Sequence, residues 1–271
     1  MQNLSKLAVI GAGKMGETLI KALLDAKMLA ADQIVATAKH APRVEDIAKR
    51  LGVPTTLDNR AAIHAADVIL LCVKPQALRD VLAEIKPLIG NDQLVISIAA
   101  SATTSFIERH LEKAVPVVRT MPNTPTLVSA GMTALCRGAH ATDEHLNRAR
   151  QIFDAVGRTA IIDEKYMDAV TALSASGPAY IYIILEALAE GGVKVGLPRN
   201  VATELAAQMC FGAAKMVLET GAHPALLKDA VTTPAGCTID GILQLEEGGL
   251  RVTLIKAVVE ATRRAGQLIE S

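Results

Sequence analysis

The stretch "KLAVIGAGKMGETLIKAL" at 6–23 constrains the fold more than any other. A short apolar run is followed at once by Gly11, Gly13 and Gly16, and then by helical spacing. In a strand–turn–helix unit each glycine answers a separate steric demand. The first makes the tight turn, the second lets backbone approach a pyrophosphate, and the third lets helix pack on strand. The free N–H groups at the helix start then face phosphate charge. Residues Gly11, Ala12, Gly13, Lys14, Met15 and Gly16 therefore form a candidate dinucleotide-binding turn.

The pattern around this turn repeats. "QIVAT" (33–37) precedes "PRVEDIAKRLG", which has a proline start and a glycine stop. "DVILLCV" (67–73) is a continuous apolar run of the kind buried on both faces of a sheet, followed by "LVISIA" (94–99) and "VPVVRTM" (115–121). "GMTALCRG" (131–138) adds an expected edge strand, and a helix at 142–155 leads to a last strand, "RTAII" (158–162). Such alternation predicts an α/β, Rossmann-like, doubly wound parallel sheet.

After residue 164 the strand patterns stop. "GPAYIYIILEALAEGGVKVG" is apolar nearly all round, which predicts a helix buried on every side. "PRNVATELAAQMCFGAAKMVLETG" runs from Pro198 to Gly221, matching helix start and stop signals. Two further helices fit 239–247 and 250–269. Gly191 and Gly192 each cost a helix about 1 kcal/mol relative to alanine, so a tight contact is expected there. A helical region this small cannot cover an all-round apolar helix alone. Pairing with a second copy is the simple remedy, so a homodimer or larger assembly is expected. The expected domains are 1–164, nucleotide-binding, and 165–271, all-α.

Composition narrows the function. With 28 basic and 28 acidic residues the net charge is zero, which argues against a polyanionic partner. Three tyrosines, three phenylalanines and no tryptophan leave little for base stacking, so nucleic acid is not expected. Cys72, Cys136, Cys210 and Cys237 are scattered without a CxxC pair, and the six histidines show no ligand spacing, so no metal or disulfide framework is expected. Cys72 and Cys210 lie in apolar runs and read as buried thiols. A strand beginning near residue 6 leaves no expected signal peptide, and Glu186, Glu190 and Lys194 interrupt the longest apolar run. A cytoplasmic protein is the expectation.

The end of the second strand bears on the cofactor. NAD sites usually carry an acidic residue there, bonded to the ribose 2′-hydroxyl. Here "VATAKHAPR" has none; Thr37, Lys39, His40 and Arg43 offer a hydroxyl, donors and positive charge. These groups attract a 2′-phosphate, which favours NADPH, with NADH possible; the alternative is that Lys39 and Arg43 only solvate a loop. Ligands in such sheets lie beyond the carboxyl ends of the strands. "CVKPQ" displays Val73, Lys74 and Pro75 there, "SIAAS" offers Ala99 and Ala100, and "RTMPNTP" offers Met121 and Asn123 as pocket walls. Each of these is also an ordinary strand-ending turn.

Together "GAGKMG", "CVKPQ", "SIAAS", "RTMPNTP", "SASGPAY" and "LKDAVTTPAGCTIDGI" resemble the pyrroline-5-carboxylate reductases, in order and spacing over 6–265. The resemblance implies a Rossmann domain followed by an all-α dimerisation domain. It implies reduction of Δ1-pyrroline-5-carboxylate to L-proline with NAD(P)H, the last step of proline synthesis, by a homodimer or an assembly of dimers. Family cofactor contacts carry over to Gly11 through Gly16, Thr37, Asn59, Val73, Lys74, Pro75 and Ala99. The substrate segments carry over to Ser176 and Gly177 and to Pro234, Ala235, Gly236, Cys237 and Thr238. "TTPAGCT" reads as a turn feeding a helix, whose free amides form an anion site without a basic side chain. The Thr238 hydroxyl either caps that helix or meets the imine nitrogen; the resemblance implies the second, making it the candidate catalytic residue. Tyr180 is a weaker proton partner, and Asp240 is assigned no chemistry. Alanine or serine replaces a usual family glycine at Ala175, Ala235 and Ser101, changes that bear on substrate fit. A rival enzyme reading is an NADP-dependent β-hydroxyacid dehydrogenase or ketopantoate-type reductase, for which Lys194 and Lys215 are the available lysines. An NADP-sensing or scaffold protein is the non-enzymatic rival.

Overall fold

A computed structural model describes residues 6–64 and 66–267. Eight strands form one sheet: Leu7–Ile10 (β1), Ile34–Thr37 (β2), Thr55–Thr56 (β3), Val68–Leu71 (β4), Leu94–Ser97 (β5), Val117–Met121 (β6), Gly131–Arg137 (β7) and Gly157–Ile161 (β8). Their order is β3-β2-β1-β4-β5-β6-β7-β8. The helices Lys14–Asp25 (α1), Ala41–Leu51 (α2), Asn59–Ile63 (α3), Pro75–Ile85 (α4), Thr104–Leu111 (α5) and Asp143–Asp154 (α6) connect them. The strand order reverses between β1 and β4, and the crevice beyond their carboxyl ends is where sheets of this kind hold a ligand.

Alternate residues of each strand enter two separate cores. Leu7, Val9, Leu70, Ile96 and Val118 pack with Leu19, Ile20 and Leu23 of α1 and Phe153 of α6. Ala8, Ile10, Ile69, Leu71, Val95 and Val117 pack with Leu78, Leu82 and Ile85 of α4 and with Ile107 and Leu111 of α5. Both faces are therefore covered, as the continuous apolar runs require.

Two features depart from the sequence expectation. The sheet is parallel from β3 through β6, but β7 is antiparallel to β6 and β8 runs parallel to β7. The connection 122–130 holds only a short 3₁₀ turn, Thr124–Val128, and a parallel crossover needs a dozen or more residues. The expected edge strand at 131–138 consequently lies inside the sheet, and β8 takes the edge. The two-residue β3 was not expected at all.

Beyond β8 come a 3₁₀ turn, Glu164–Tyr166, the helix Met167–Val170 (α7), a π-turn, Thr171–Ala175, and then Gly177–Lys194 (α8), Arg199–Thr220 (α9), Pro224–Val231 (α10), Cys237–Glu247 (α11) and Leu250–Gln267 (α12). Residues 268 and 269 of the last expected helix lie outside the described residues. The described residues of 6–176 and 261–267 form one compact unit, and Gly177–Glu260 form the other. Residues 165–176 thus group with the sheet, because Met167 and Ala172 are fully buried and Met167 packs with Met121, Ala134 and Cys136 of the strands.

In the second unit, α9 starts after Pro198 and stops at left-handed Gly221 (φ +64°). A Cβ on Gly192 would lie 3.0 Å from that of Ala202, so this glycine lets α8 and α9 approach closely. Gly191 has nothing within 4 Å and meets no such demand. The expectation that α8 is buried all round does not hold within one chain. Among its residues only Ala189 is buried, while Ile181, Tyr182, Ile183 and Leu188 are exposed. Leu205, Met209 and Phe211 of α9 and Val252, Ile255 and Val259 of α12 are exposed too. Cys72 and Cys210 are half-buried, whereas Cys136 is buried. Burial raises the Cys72 thiol pKa, as its sulfur sits beneath Gly16. By length and composition alone, Glu164–Lys194 and Arg199–Thr220 are apolar enough to cross a membrane.

Candidate active site

The glycine turn has the geometry its spacing predicts. Gly11 is left-handed (φ +81°), and a Cβ there would stand 2.5 Å from Val73 Cγ1. A Cβ on Gly16 would meet Val9 Cγ1 at 3.2 Å and Cys72 at 3.4 Å, so this residue brings α1 onto β1 and β4. Gly13 differs from both. It is exposed, has an ordinary φ of −75°, and a Cβ there would find only Gly11 O, at 4.0 Å. It is also the N-cap of α1, without a side-chain cap. Open space before bare amides suits a dinucleotide pyrophosphate. Lys14 opens the helix exposed, and Met15 packs into the core.

Thr37 and Asn59 brace this turn. The buried Thr37 hydroxyl accepts from Gly11 N–H at 3.0 Å and donates to Asn59 Oδ1 at 2.7 Å. Asn59 Nδ2 in turn donates to Glu84 at 2.8 Å, and Thr37 O accepts from Ala12 N–H at 2.6 Å. Both side chains hold the loop in place from beneath.

Lys39 and His40 are exposed at the start of α2, where His40 is the N-cap. Arg43 reaches back to the turn: Nε donates to Ala12 O at 3.2 Å, and the guanidinium pairs with Glu17 and Asp46. Arg50 pairs with the same two carboxylates. Arg50 first, and then Arg43, hold Glu17 below the usual carboxylate range against the opposing effect of burial. A 2′-phosphate drawn to Arg43 therefore competes with two resident carboxylates. Glu17 and Asp46 were not singled out from sequence, because ordinary helix-surface acids carry no local mark of a partner.

Val73 packs under Gly11 and supports the turn, while Lys74, the N-cap of α4, and Pro75 are exposed at the strand end. Ala99 is buried, with its N–H bonded to Ser97 Oγ at 3.2 Å, and Ala100 is half-buried. Met121 is a core residue rather than an open wall. Asn123 has both amide atoms engaged within the protein: Oδ1 with Met132 N–H at 2.9 Å and Nδ2 with Ser174 O at 3.2 Å. Arg119 was missed by the sequence reading, although an arginine inside an apolar strand is a signal. It is 3% exposed and pairs with Glu164 at 3.2 Å, and Glu164 also accepts the N–H and hydroxyl of Thr104, each at 2.7 Å. This ion pair ties the segment after β8 to β6.

In the second unit, Pro234 and Ala235 make a tight turn, and Gly236 is the N-cap of α11. A Cβ on Gly236 would lie 2.5 Å from Thr233 Oγ1 and 3.1 Å from Thr233 O, so a side chain there would push on the turn. Cys237 is exposed, and Thr238 is the second residue of the helix, half-buried. Helix capping is therefore not the task of the Thr238 hydroxyl, and the first amides of α11 have no side-chain cap. Ser176 and Gly177 are half-buried where the π-turn meets α8, and Tyr180 lies one turn on. Lys215 is exposed and pairs with Glu219 at 3.5 Å, and Lys194 is exposed at the end of α8. Neither has the setting of a catalytic lysine.

The chain matches two family models: pyrroline-5-carboxylate reductase dimerisation at residues 164–268, and NADP oxidoreductase, coenzyme F420-dependent, at 6–101. It is 44% identical over 268 residues to a pyrroline-5-carboxylate reductase of Methanosarcina acetivorans, covering 99% of each chain. It is 41% identical to one of Pisum sativum, covering 97% of this chain and 95% of the other. A solved pyrroline-5-carboxylate reductase of Coxiella burnetii superposes with a TM-score of 0.92 at 38% identity, covering 98% of this chain and 99% of the other. One of Plasmodium falciparum, described with NADP bound, gives 0.87 at 29%, covering 98% of each. A glycine turn built for a nucleotide, a bare α11 start and a match that spans nearly every residue converge: this chain belongs to the pyrroline-5-carboxylate reductase family.

Proposed function

We propose that this chain reduces Δ1-pyrroline-5-carboxylate to L-proline with NADPH, and that NADH is an alternative hydride donor. Family membership supports the reaction, and the start of α11 is the observation that carries the reading. The substrate is a small ring with one carboxylate and one imine. The first N–H groups of α11 have no side-chain cap and form a positively polarised end, and the turn 232–238 itself carries no basic side chain. Gly236, Cys237 and Thr238 would hold the carboxylate there, with the Thr238 hydroxyl toward the imine nitrogen. The bound nicotinamide supplies hydride. The protein's own work is to orient two rings and exclude water, which matches a site without a strong acid–base pair. A protonated iminium accepts hydride better than a neutral imine, and Thr238 orients that nitrogen or relays its proton.

We assign cofactor binding to residues 1–164 and dimerisation with substrate binding to 165–271. The exposed apolar side chains of α8, α9 and α12 support association with a second copy, as a homodimer or an assembly of dimers. A cytoplasmic location agrees with this small-molecule chemistry.

The test is NADPH oxidation driven by pyrroline-5-carboxylate. Thr238→Ala lowers kcat about 10- to 100-fold, the scale of one lost hydrogen bond to a charged group, and leaves the NADPH Kd unchanged. Unaltered turnover in that variant removes Thr238 from the site.

A further inference from the structure

A helical carbonyl takes its hydrogen bond from the N–H four residues on. For Ser174 that residue is Pro178, which has no N–H. The chain does not continue as a regular helix here. Residues Thr171–Ala175 form a π-turn, closed by the Ser176 N–H donating to Thr171 O at 2.9 Å. A donor for Ser174 O arrives from a distant part of the same unit: Asn123 Nδ2, at 3.2 Å, and 3.4 Å from Ser174 Oγ. The oxygen of that amide accepts from Met132 N–H at 2.9 Å. Asn123 is thus held from both ends, one on β7 and one on the π-turn. π-turns of this kind occur often at functional sites.

We propose that Asn123 is a positioning residue for the substrate segment, its amide standing in for the N–H that Pro178 lacks and so holding the π-turn that sets Ser176 and Gly177. This rests on the functional reading above, together with the substrate role that the family resemblance implies for Ser176 and Gly177. It moves Asn123 from the cofactor wall, where the sequence reading placed it, to the support of the neighbouring subsite. The residue acts through backbone geometry and touches no reacting atom.

Asn123→Asp tests it, because the carboxylate keeps an acceptor for Met132 N–H but loses the donor to Ser174 O. The KM for pyrroline-5-carboxylate rises about ten-fold, the scale of one lost hydrogen bond, while the NADPH Kd stays within about two-fold. Amide exchange at Ser176 accelerates. Adding Pro178→Ala returns an N–H to position 178. The double variant regains thermal stability while KM stays high, since an ordinary helical bond replaces the π-turn. Recovery of both quantities would mean a merely stabilising bond and would overturn the positioning role. A raised NADPH Kd with unchanged KM would return Asn123 to the cofactor and overturn it equally. Should the wild-type chain not oxidise NADPH with this imine, the functional reading fails. The Ser176 exchange rate in Asn123→Asp then decides the present proposal by itself, unchanged exchange overturning it.

Discussion

Replacing Gly13 by alanine separates what the turn does for the fold from what it does for the cofactor. The native φ of −75° suits alanine, and the nearest atom to the added Cβ is 4.0 Å away. Two small effects on stability oppose each other. Alanine is a poorer N-cap than glycine by about 0.5–1 kcal/mol, and it lowers the entropy of the unfolded chain by about 0.4–1 kcal/mol. The net change is therefore about zero, and thermal unfolding moves by no more than about 2 °C. Binding is expected to behave differently, because on the proposed reading the methyl group fills the open space through which a pyrophosphate reaches the α1 amides. Loss of one charge-assisted hydrogen bond costs about 1.5–3 kcal/mol, so the NADPH Kd rises about 10- to 100-fold. Gly11→Ala is the contrast. It combines a left-handed φ with a 2.5 Å contact to Val73 Cγ1, and these cost together about 2–5 kcal/mol of fold stability. Fluorescence titration with NADPH and a thermal melt on both variants decide the matter. An unchanged Kd in Gly13→Ala, or a melt that falls as far as in Gly11→Ala, would refute the division of roles.

Lys39→Met with Arg43→Met weakens NADPH about ten-fold more than NADH, as expected for one phosphate ion pair partly offset by Glu17 and Asp46; parallel titrations with both nucleotides check this. A second prediction concerns pH. His145 caps α6 by accepting Thr142 N–H at 3.0 Å through Nδ1, and burial, then Arg148, lowers its pKa below the ordinary 6.5. With the folded pKa depressed, the unfolded chain binds the proton first. The cap's contribution is complete above about pH 6.5 and is lost as pH falls through the folded value. His145→Gln keeps a capping side chain without a titrating group, so its melting temperature falls less between pH 7 and pH 5 than that of the wild type.

Much of this was legible in the sequence because the demands are local. Three glycines at fixed spacing, a proline before α9 and a left-handed glycine after it each state their own geometry. The reversal of β7 was also written there, in the shortness of 122–130, but apolar alternation alone does not carry strand direction. The site's supports were illegible for a different reason. Thr37 was expected to offer its hydroxyl to a ligand, and instead it joins Gly11 to Asn59, residues 26 and 22 positions away. Arg43 meets Glu17 across 26 positions, and Asn123 meets Ser174 across 51. No period or motif marks such pairs; only the folded topology brings the donors to their acceptors. The sequence reading assigned outward several side chains that in fact face inward, Thr37 and Asn123 among them.

The replaced glycines show the same limit at the level of one torsion angle. By volume, serine or alanine for glycine adds a methyl or hydroxymethyl group, and the change reads as a matter of substrate fit. The backbone gives another answer, since Ser101 has φ +64° and Ala235 φ +57°. Both occupy the left-handed region, which costs a non-glycine residue about 1–2 kcal/mol. Ser101 has a compensation within reach: its hydroxyl donates to Ala265 O at 3.2 Å in a buried setting, worth about 1 kcal/mol. Ala235 has only a methyl group, yet its cost is also partly offset. Alanine in place of glycine removes unfolded-chain entropy worth about 0.4–1 kcal/mol, which offsets only part of that strain. Alanine at 235 is thus the less stable of the two alternatives by up to about 1.6 kcal/mol, and it also narrows the freedom of the turn. Glycine reaches left-handed and extended conformations alike, whereas alanine in that region has one narrow well. The alanine therefore restricts the shapes available to the turn that delivers the first amides of α11, trading backbone strain for a narrower range of turn conformations.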